Sequence, residues 1–124
     1  MSKVAPFRGQ IWSANVGEPP SQHWVVIVSP DMRNQQPNID TILVVPFSRK
    51  LRKGPTTAIL EPAETGLPYT SCLRAHFIQP LSKSRLLEMH ARDLSEERMA
   101  DLCLRIRRSF DPDAPADDLR TEAG

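Results

Sequence analysis

The chain has 124 residues, 40% of them hydrophobic and 25% charged, with a formal net charge of +1 at pH 7. This is ordinary globular composition, and long enough for one core without metal or disulfide staples. No apolar run reaches the roughly 20 residues of a membrane helix, and Met1–Pro6 lacks the apolar stretch of a secretory signal. Cys72 and Cys103 are the only cysteines. They lie among apolar neighbours and are expected to be small buried thiols in a reducing cytoplasm, with neither a disulfide framework nor zinc spacing. The near-neutral total conceals a division. Residues 111–124 hold five acidic residues against Arg120 alone, leaving 15 basic and 10 acidic residues in 1–110. Such a body permits an anionic partner without demanding one.

In chain order, Phe7–Val16 is expected to form a first strand and Gly17–Gln22 a loop, since Pro19-Pro20 removes two donors and fixes φ. Trp24–Ser29 is a continuous apolar run, the pattern of a strand covered on both faces. Pro30–Asp40 is a polar loop and Thr41–Phe47 the next strand, with Pro46 placed at an edge, a bulge or the strand end. Ser48–Pro55 is a basic loop carrying Arg49, Lys50, Arg52 and Lys53. Thr56–Glu61 is strand-like, Pro62–Thr70 a turn region around Gly66-Leu67-Pro68, and Ser71–Ile78 a further strand. Ser84–His90 is expected to be a short helix.

The last helix carries the strongest local signals. Ser95 is a natural N-cap, Glu96 and Glu97 complement the positive dipole end, and Arg105, Arg107 and Arg108 the negative one. Met99, Leu102, Cys103, Ile106 and Phe110 recur at helical spacing, and Asp111-Pro112 stops the element. Short antiparallel strands with one terminal amphipathic helix imply a mainly β fold with helices, a small barrel or strongly curved sheet with the helix packed on it. Residues 1–110 form the domain, and 111–124 an acidic disordered tail.

Taken in order, these segments resemble the MazF/PemK family of toxin endoribonucleases. Arg8-Gly9-Gln10-Ile11-Trp12 is similar to the family's Arg-Gly-Asp/Glu-Ile-Trp opening. Trp24–Ser29 with Asp31 and Asn34 resembles its second strand and following loop, and Val44-Val45-Pro46-Phe47-Ser48 its Val-Val-Pro-Ile-Thr strand end. Gly66-Leu67-Pro68, Ser71, Ile78 and Lys83-Ser84-Arg85-Leu86 follow the later pattern, and Leu94-Ser95-Glu96-Glu97 the start of the last helix. The likeness covers roughly residues 7 to 110 and lies in the order and spacing of the motifs. It implies an SH3-like antiparallel barrel of the MazF/PemK/CcdB type that forms a homodimer. It also implies metal-independent cleavage of single-stranded RNA, without a cofactor, by a toxin that an antitoxin with a flexible acidic tail restrains.

Metal-free RNA cleavage needs a base for the 2′-hydroxyl proton, donors for the phosphorane charge, and an acid for the departing 5′-oxygen. The resemblance places Ser48 where the family keeps a threonine, with the hydroxyl retained. It places His23 where the family keeps an arginine. Imidazole suits proton transfer but lacks the bidentate, permanent clamp of a guanidinium. His23 is therefore either a proton-transfer group or a strand-edge histidine in a catalytically weakened homologue. Arg74 and His76 match the Arg and Asp of an Arg-Cys-Asp-Gln segment in PemK-like members. On one strand an i, i+2 pair shares a face, so they are either a cation and acid–base pair or a polar outer face. Arg49, Lys50, Arg52 and Lys53 form a salt-sensitive RNA-attracting loop or a solvated one. Gln79 stands where relatives hold RNA with an arginine. Phe77 and Tyr69 are placed for base stacking, whereas Trp12 and Trp24 read as core and His90 as a surface residue. The alternative function is a binding module on the same fold, either degenerate or acting on gyrase. Gyrase-directed relatives use a tryptophan near the C-terminus, where this chain has none.

Overall fold

The computed structural model describes residues 5–90 and 92–116. Its seven strands are β1 (Ile11–Val16), β2 (Ser21–Ile27), β3 (Thr41–Ser48), β4 (Thr57–Leu60), β5 (Ser71–Arg74), β6 (Gln79–Ser82) and β7 (Leu86–Met89). Three α-helical segments accompany them: α1 (Asp31–Asn34), α2 (Pro62–Thr65) and α3 (Glu96–Arg108). Every strand pairing is antiparallel, in the order β4-β5-β3-β2-β1-β7, with β6 also on β3. Mainly β architecture with a terminal helix is thus what the sequence implies. The hydrogen-bonded path, however, runs open from β4 to β7 and does not close into a barrel among the described residues.

Two apolar clusters sandwich the central strands. Val26, Val45 and Phe47 belong to one, with Leu60, Leu73, Met99 and Leu102; Val25, Ile27, Ile42 and Val44 belong to the other, with Leu81 and Leu86. Alternation along β2 and β3 feeds both, which is why Val25-Val26-Ile27 is a continuous apolar run buried on both faces. Trp24, at the edge of that run, is only half-buried.

β3 is the strand around which the rest is organised. One edge pairs with β2 through Val25↔Pro46, Val26↔Val45 and Ile27↔Val44. Its other edge pairs first with β6, ending at Val44↔Gln79, and then with β5 at Phe47↔Leu73 and Ser48↔Cys72. Between those paired positions β3 has Val45 and Pro46, while the facing chain runs from Arg74 to Ile78. The excess is absorbed by a 3₁₀ turn at Ala75–Phe77, closed by Ile78 N–H donating to Ala75 C=O at 3.1 Å. The expected strand Ser71–Ile78 is therefore broken at Arg74, and Pro46, which has no N–H to give, sits opposite the break.

Other boundaries shift for local reasons. Gly9, at φ +93°, carries a turn in which Gln10 N–H donates to Phe7 C=O, so β1 starts at Ile11 and not at Phe7. Ser21 and Gln22 join β2, because Val16↔Ser21 pairing extends the hairpin. The polar loop after β2 contains α1, whose buried Asn34 donates to Ser29 C=O at 2.8 Å and accepts from Ser29 Oγ at 2.5 Å. Ser84–His90 is not a helix. Lys83–Arg85 is a 3₁₀ turn and Leu86–Met89 is β7, held by β1 through Trp12↔Met89 and Ala14↔Leu86.

The terminal helix forms as expected: Ser95 Oγ accepts from Arg98 N–H at 3.1 Å, and Met99 and Leu102 are buried against the sheet. Arg105 donates to Thr57 C=O at 2.5 Å, fastening α3 to β4. The apolar face is shorter than its spacing suggests. Cys103 is partly exposed and accepts from Arg8 Nη2 at 2.7 Å, and Phe110, beyond the helix, is 71% exposed. Asp111 accepts from Arg107 Nη2 at 3.1 Å and Arg108 Nε donates to Pro115 C=O at 2.7 Å, while residues 117–124 of the expected acidic tail lie outside the described residues. No helix among the described residues is long and apolar enough to cross a membrane.

One ion pair couples the helices. Arg98 Nε lies 2.6 Å from Glu64 Oε1, and Glu64 also accepts from Glu61 N–H in the capping box that opens α2. The Arg98 hydrogen bond, ahead of the Glu61 N–H, holds the Glu64 carboxyl below the usual range despite its partial burial. A lowered folded pKa gives stability that is present above the unfolded value of about 4.3 and lost as pH falls through the folded one. Both partners are about one-third exposed, so the contribution is screened to about 0.5–1 kcal/mol. Glu64→Gln is expected to unfold at lower urea than the parent at pH 7, with the gap closing below pH 4.

Candidate functional site

Strand register alone brings three of the candidate side chains to one face. Val25 pairs with Pro46, so His23, two residues before Val25, and Ser48, two after Pro46, share that face. Ser48 pairs with Cys72, and Arg74, two residues on, shares it as well. Beyond Val25↔Pro46 no further pair joins β2 to β3, and the surface opens there into a cleft of about 520 Å³. His23, Ser48, Arg49, Arg74, Phe77 and Gln79 all line it, joined by Tyr69 from the segment after α2. No Asp or Glu does.

The polar contacts are specific. His23 Nε2 is 2.9 Å from Ser21 Oγ, which fixes the ring and leaves Nδ1 for another partner. Ser48 Oγ accepts from Lys50 N–H at 3.1 Å, keeping its own proton free to donate. The Arg74 guanidinium lies 4.4 Å over the Phe77 ring, and the Arg49 guanidinium 4.4 Å over the Tyr69 ring. Gln79 Nε2 donates to Phe77 C=O at 3.1 Å and so braces the 3₁₀ turn.

The remaining candidates fall outside the cleft lining. His76 does not share a strand face with Arg74, because the strand stops at Arg74 and the 3₁₀ turn rotates the following residues. Its Nδ1 is 2.8 Å from Thr56 Oγ1 and its ring leans on Phe77 with centroids 4.7 Å apart. Lys50, Arg52 and Lys53 are exposed on the adjoining loop. Trp24 lines the cleft and meets His90 edge-on at 5.3 Å, so it is not simply core and His90 is not simply surface. Ser21, the partner of His23, escapes a sequence reading that ends the loop at Gln22. Once the strand is known to start at Ser21, their i, i+2 spacing reveals the contact. Among the described residues, no three His, Cys, Asp or Glu side chains gather to hold a metal ion.

The model of the family described as PemK-like, MazF-like toxin of type II toxin–antitoxin systems matches residues 7–110. Solved structures share the fold. An endoribonuclease in complex with its cognate antitoxin from a mycobacterial species superposes with a TM-score of 0.74 at 22% identity, covering 90% of this chain and 100% of that one. The Mycobacterium tuberculosis toxin MazF-mt6 gives 0.71 at 20% identity, over 84% and 98% of the two chains. MazE–MazF from Deinococcus radiodurans gives 0.68 at 16%, over 85% and 95%. No curated protein sequence matches the chain. At these identities the structures establish a common fold, and the family match spans nearly all of the described residues. The chain belongs to the PemK-like, MazF-like toxin family of type II toxin–antitoxin systems.

Proposed function

We propose that this protein is the toxin of a toxin–antitoxin pair and acts as an endoribonuclease on single-stranded RNA without a metal cofactor. The observation that carries the reading is the convergence of an imidazole, a hydroxyl and a guanidinium from the ends of β2, β3 and β5 in one cleft that no carboxylate lines among the described residues. That donor set suits acid–base and oxyanion chemistry on a phosphodiester. In the proposed step His23 takes the 2′-hydroxyl proton as the 2′-oxygen attacks phosphorus and the bond to the 5′-oxygen breaks. Arg74 and the Ser48 hydroxyl donate to the phosphorane oxygens. The leaving oxygen takes a proton from the imidazolium or from water in the open cleft. The products are a 2′,3′-cyclic phosphate and a 5′-hydroxyl. His76, committed through Nδ1 to Thr56, flanks the site and supports Phe77.

The relatives crystallised with antitoxins support an antitoxin partner, and the basic rim of the cleft fits an acidic segment. A homodimer and a cytoplasmic location belong to the same proposal. Incubating the purified protein with mixed-sequence RNA and a chelator tests it, with end groups read by mass spectrometry. Cyclic phosphate ends that persist in chelator support the proposal. RNA bound but never cut would leave the binding-module alternative standing. In the same assay, affinity for single strands should fall with salt. Replacing Lys50, Arg52 and Lys53 together by serine should flatten the log–log slope by about 2, at about 0.7 per phosphate contact. An unchanged slope would remove that loop from the RNA path.

A further inference from the structure

The cleft holds two guanidinium–aromatic stacks, and their positions along β3 differ. Arg74 lies one residue beyond the Phe47↔Leu73 pair, on the Pro46 side of Ser48. Arg49 follows Ser48 directly, and Tyr69 precedes the strand that begins at Ser71. β3 ends at Ser48 and the chain bends at Arg49, so the two stacks reach the cleft from different segments, Arg74–Phe77 from the Pro46 side of Ser48 and Arg49–Tyr69 from the side beyond it. Neither aromatic is sealed in the core. Phe77 is 45% exposed, and Tyr69 packs only at the margin of the apolar cluster. A guanidinium plane over a ring is a weakly hydrated flat surface that takes a nucleobase on its open side, while its N–H edges stay available for phosphate.

Two rings carried by separate segments, each with its own guanidinium, offer two separate faces to bases. Resting on the ribonuclease reading above, we infer that Arg49–Tyr69 and Arg74–Phe77 are paired base-stacking platforms that each take one unstacked base from either side of the scissile phosphate. Stacking reads the face of a base and not its hydrogen-bonding edge, so the platforms select unpaired, splayed nucleotides and tolerate base identity. They reject duplex, whose bases cannot separate without unpairing.

Binding of a non-cleavable 2′-fluoro RNA octamer, with an abasic residue moved through each position, tests this on the unaltered protein. Two positions should lose affinity when made abasic, each by about 5- to 100-fold, the range of one base stack. Tyr69→Ala should weaken intact RNA over the same range, whereas Tyr69→Phe, which keeps the ring, should stay within about twofold. Tyr69→Ala should add little further loss on the octamer lacking the base that Tyr69 holds. A flat abasic scan, or a Tyr69→Ala loss that is equal on intact and abasic RNA, overturns the inference. So does Tyr69-dependent binding of an acidic peptide alongside a flat RNA scan. Cleavage with a flat scan refutes the platforms and leaves the proposed function standing. Position-specific loss of binding by a protein that never cuts RNA does the reverse.

Discussion

His23→Ala is expected to lower the rate of RNA cleavage by about 10²- to 10⁴-fold, the usual worth of a positioned general acid–base group. The side chain is exposed, and its hydrogen bond to Ser21 Oγ lies at the surface, so the thermal midpoint should hardly change. Single-turnover cleavage of one RNA by parent and variant gives the ratio. Ser21→Ala, which frees the ring without removing it, should cause a smaller loss in the same direction. Arg74→Lys is the complementary variant, retaining charge while losing the planar fork, and should restore only part of what Arg74→Ala removes. A His23→Ala protein that cuts at the parental rate would eliminate the imidazole from the mechanism and transfer the chemistry to Arg74 and Ser48.

The largest effect on stability is expected at Leu102, which is 1% exposed where α3 meets the sheet. Leu102→Ala should destabilise the fold by about 2–5 kcal/mol, from lost burial and the cavity left behind. That is a large part of the 5–15 kcal/mol typical of a domain, and urea unfolding should show a lower midpoint at similar slope. Leu102 shares its cluster with Ala75 of the 3₁₀ turn that follows Arg74. Part of the activity loss should therefore exceed the unfolded fraction, because the turn that carries Phe77 loses its support.

Much of this architecture is legible in the residues themselves. Val25-Val26-Ile27 and Ile42–Val45 declare strands by composition, and Ser95 with two glutamates declares the start of α3. Elements that depend on a distant partner are not legible in this way. Leu86–Met89 carries no strong strand signal and becomes β7 because the outer edge of β1 accepts it. The break after Arg74 is similarly invisible in Ser71–Ile78. It arises because β3 supplies two residues where the facing chain supplies five. The site divides the same way. The family likeness brings His23, Ser48 and Arg74 into consideration, and strand register explains why they meet. The expected Arg74–His76 pairing assumes an unbroken strand and fails with it. The Arg49–Tyr69 stack depends on how the chain returns from α2, which no spacing rule reveals.

The distribution of cleft residues along the chain bears on biosynthesis. A polypeptide emerging just past β3 already contains His23, Ser48 and Arg49, but not Arg74. Arg74 and Phe77 arrive later, and they take their places only when β5 and β6 pair with the outer edge of β3. The cleft is thus a late product of synthesis. A growing chain does not carry the assembled cleft until the residues that complete it have been made.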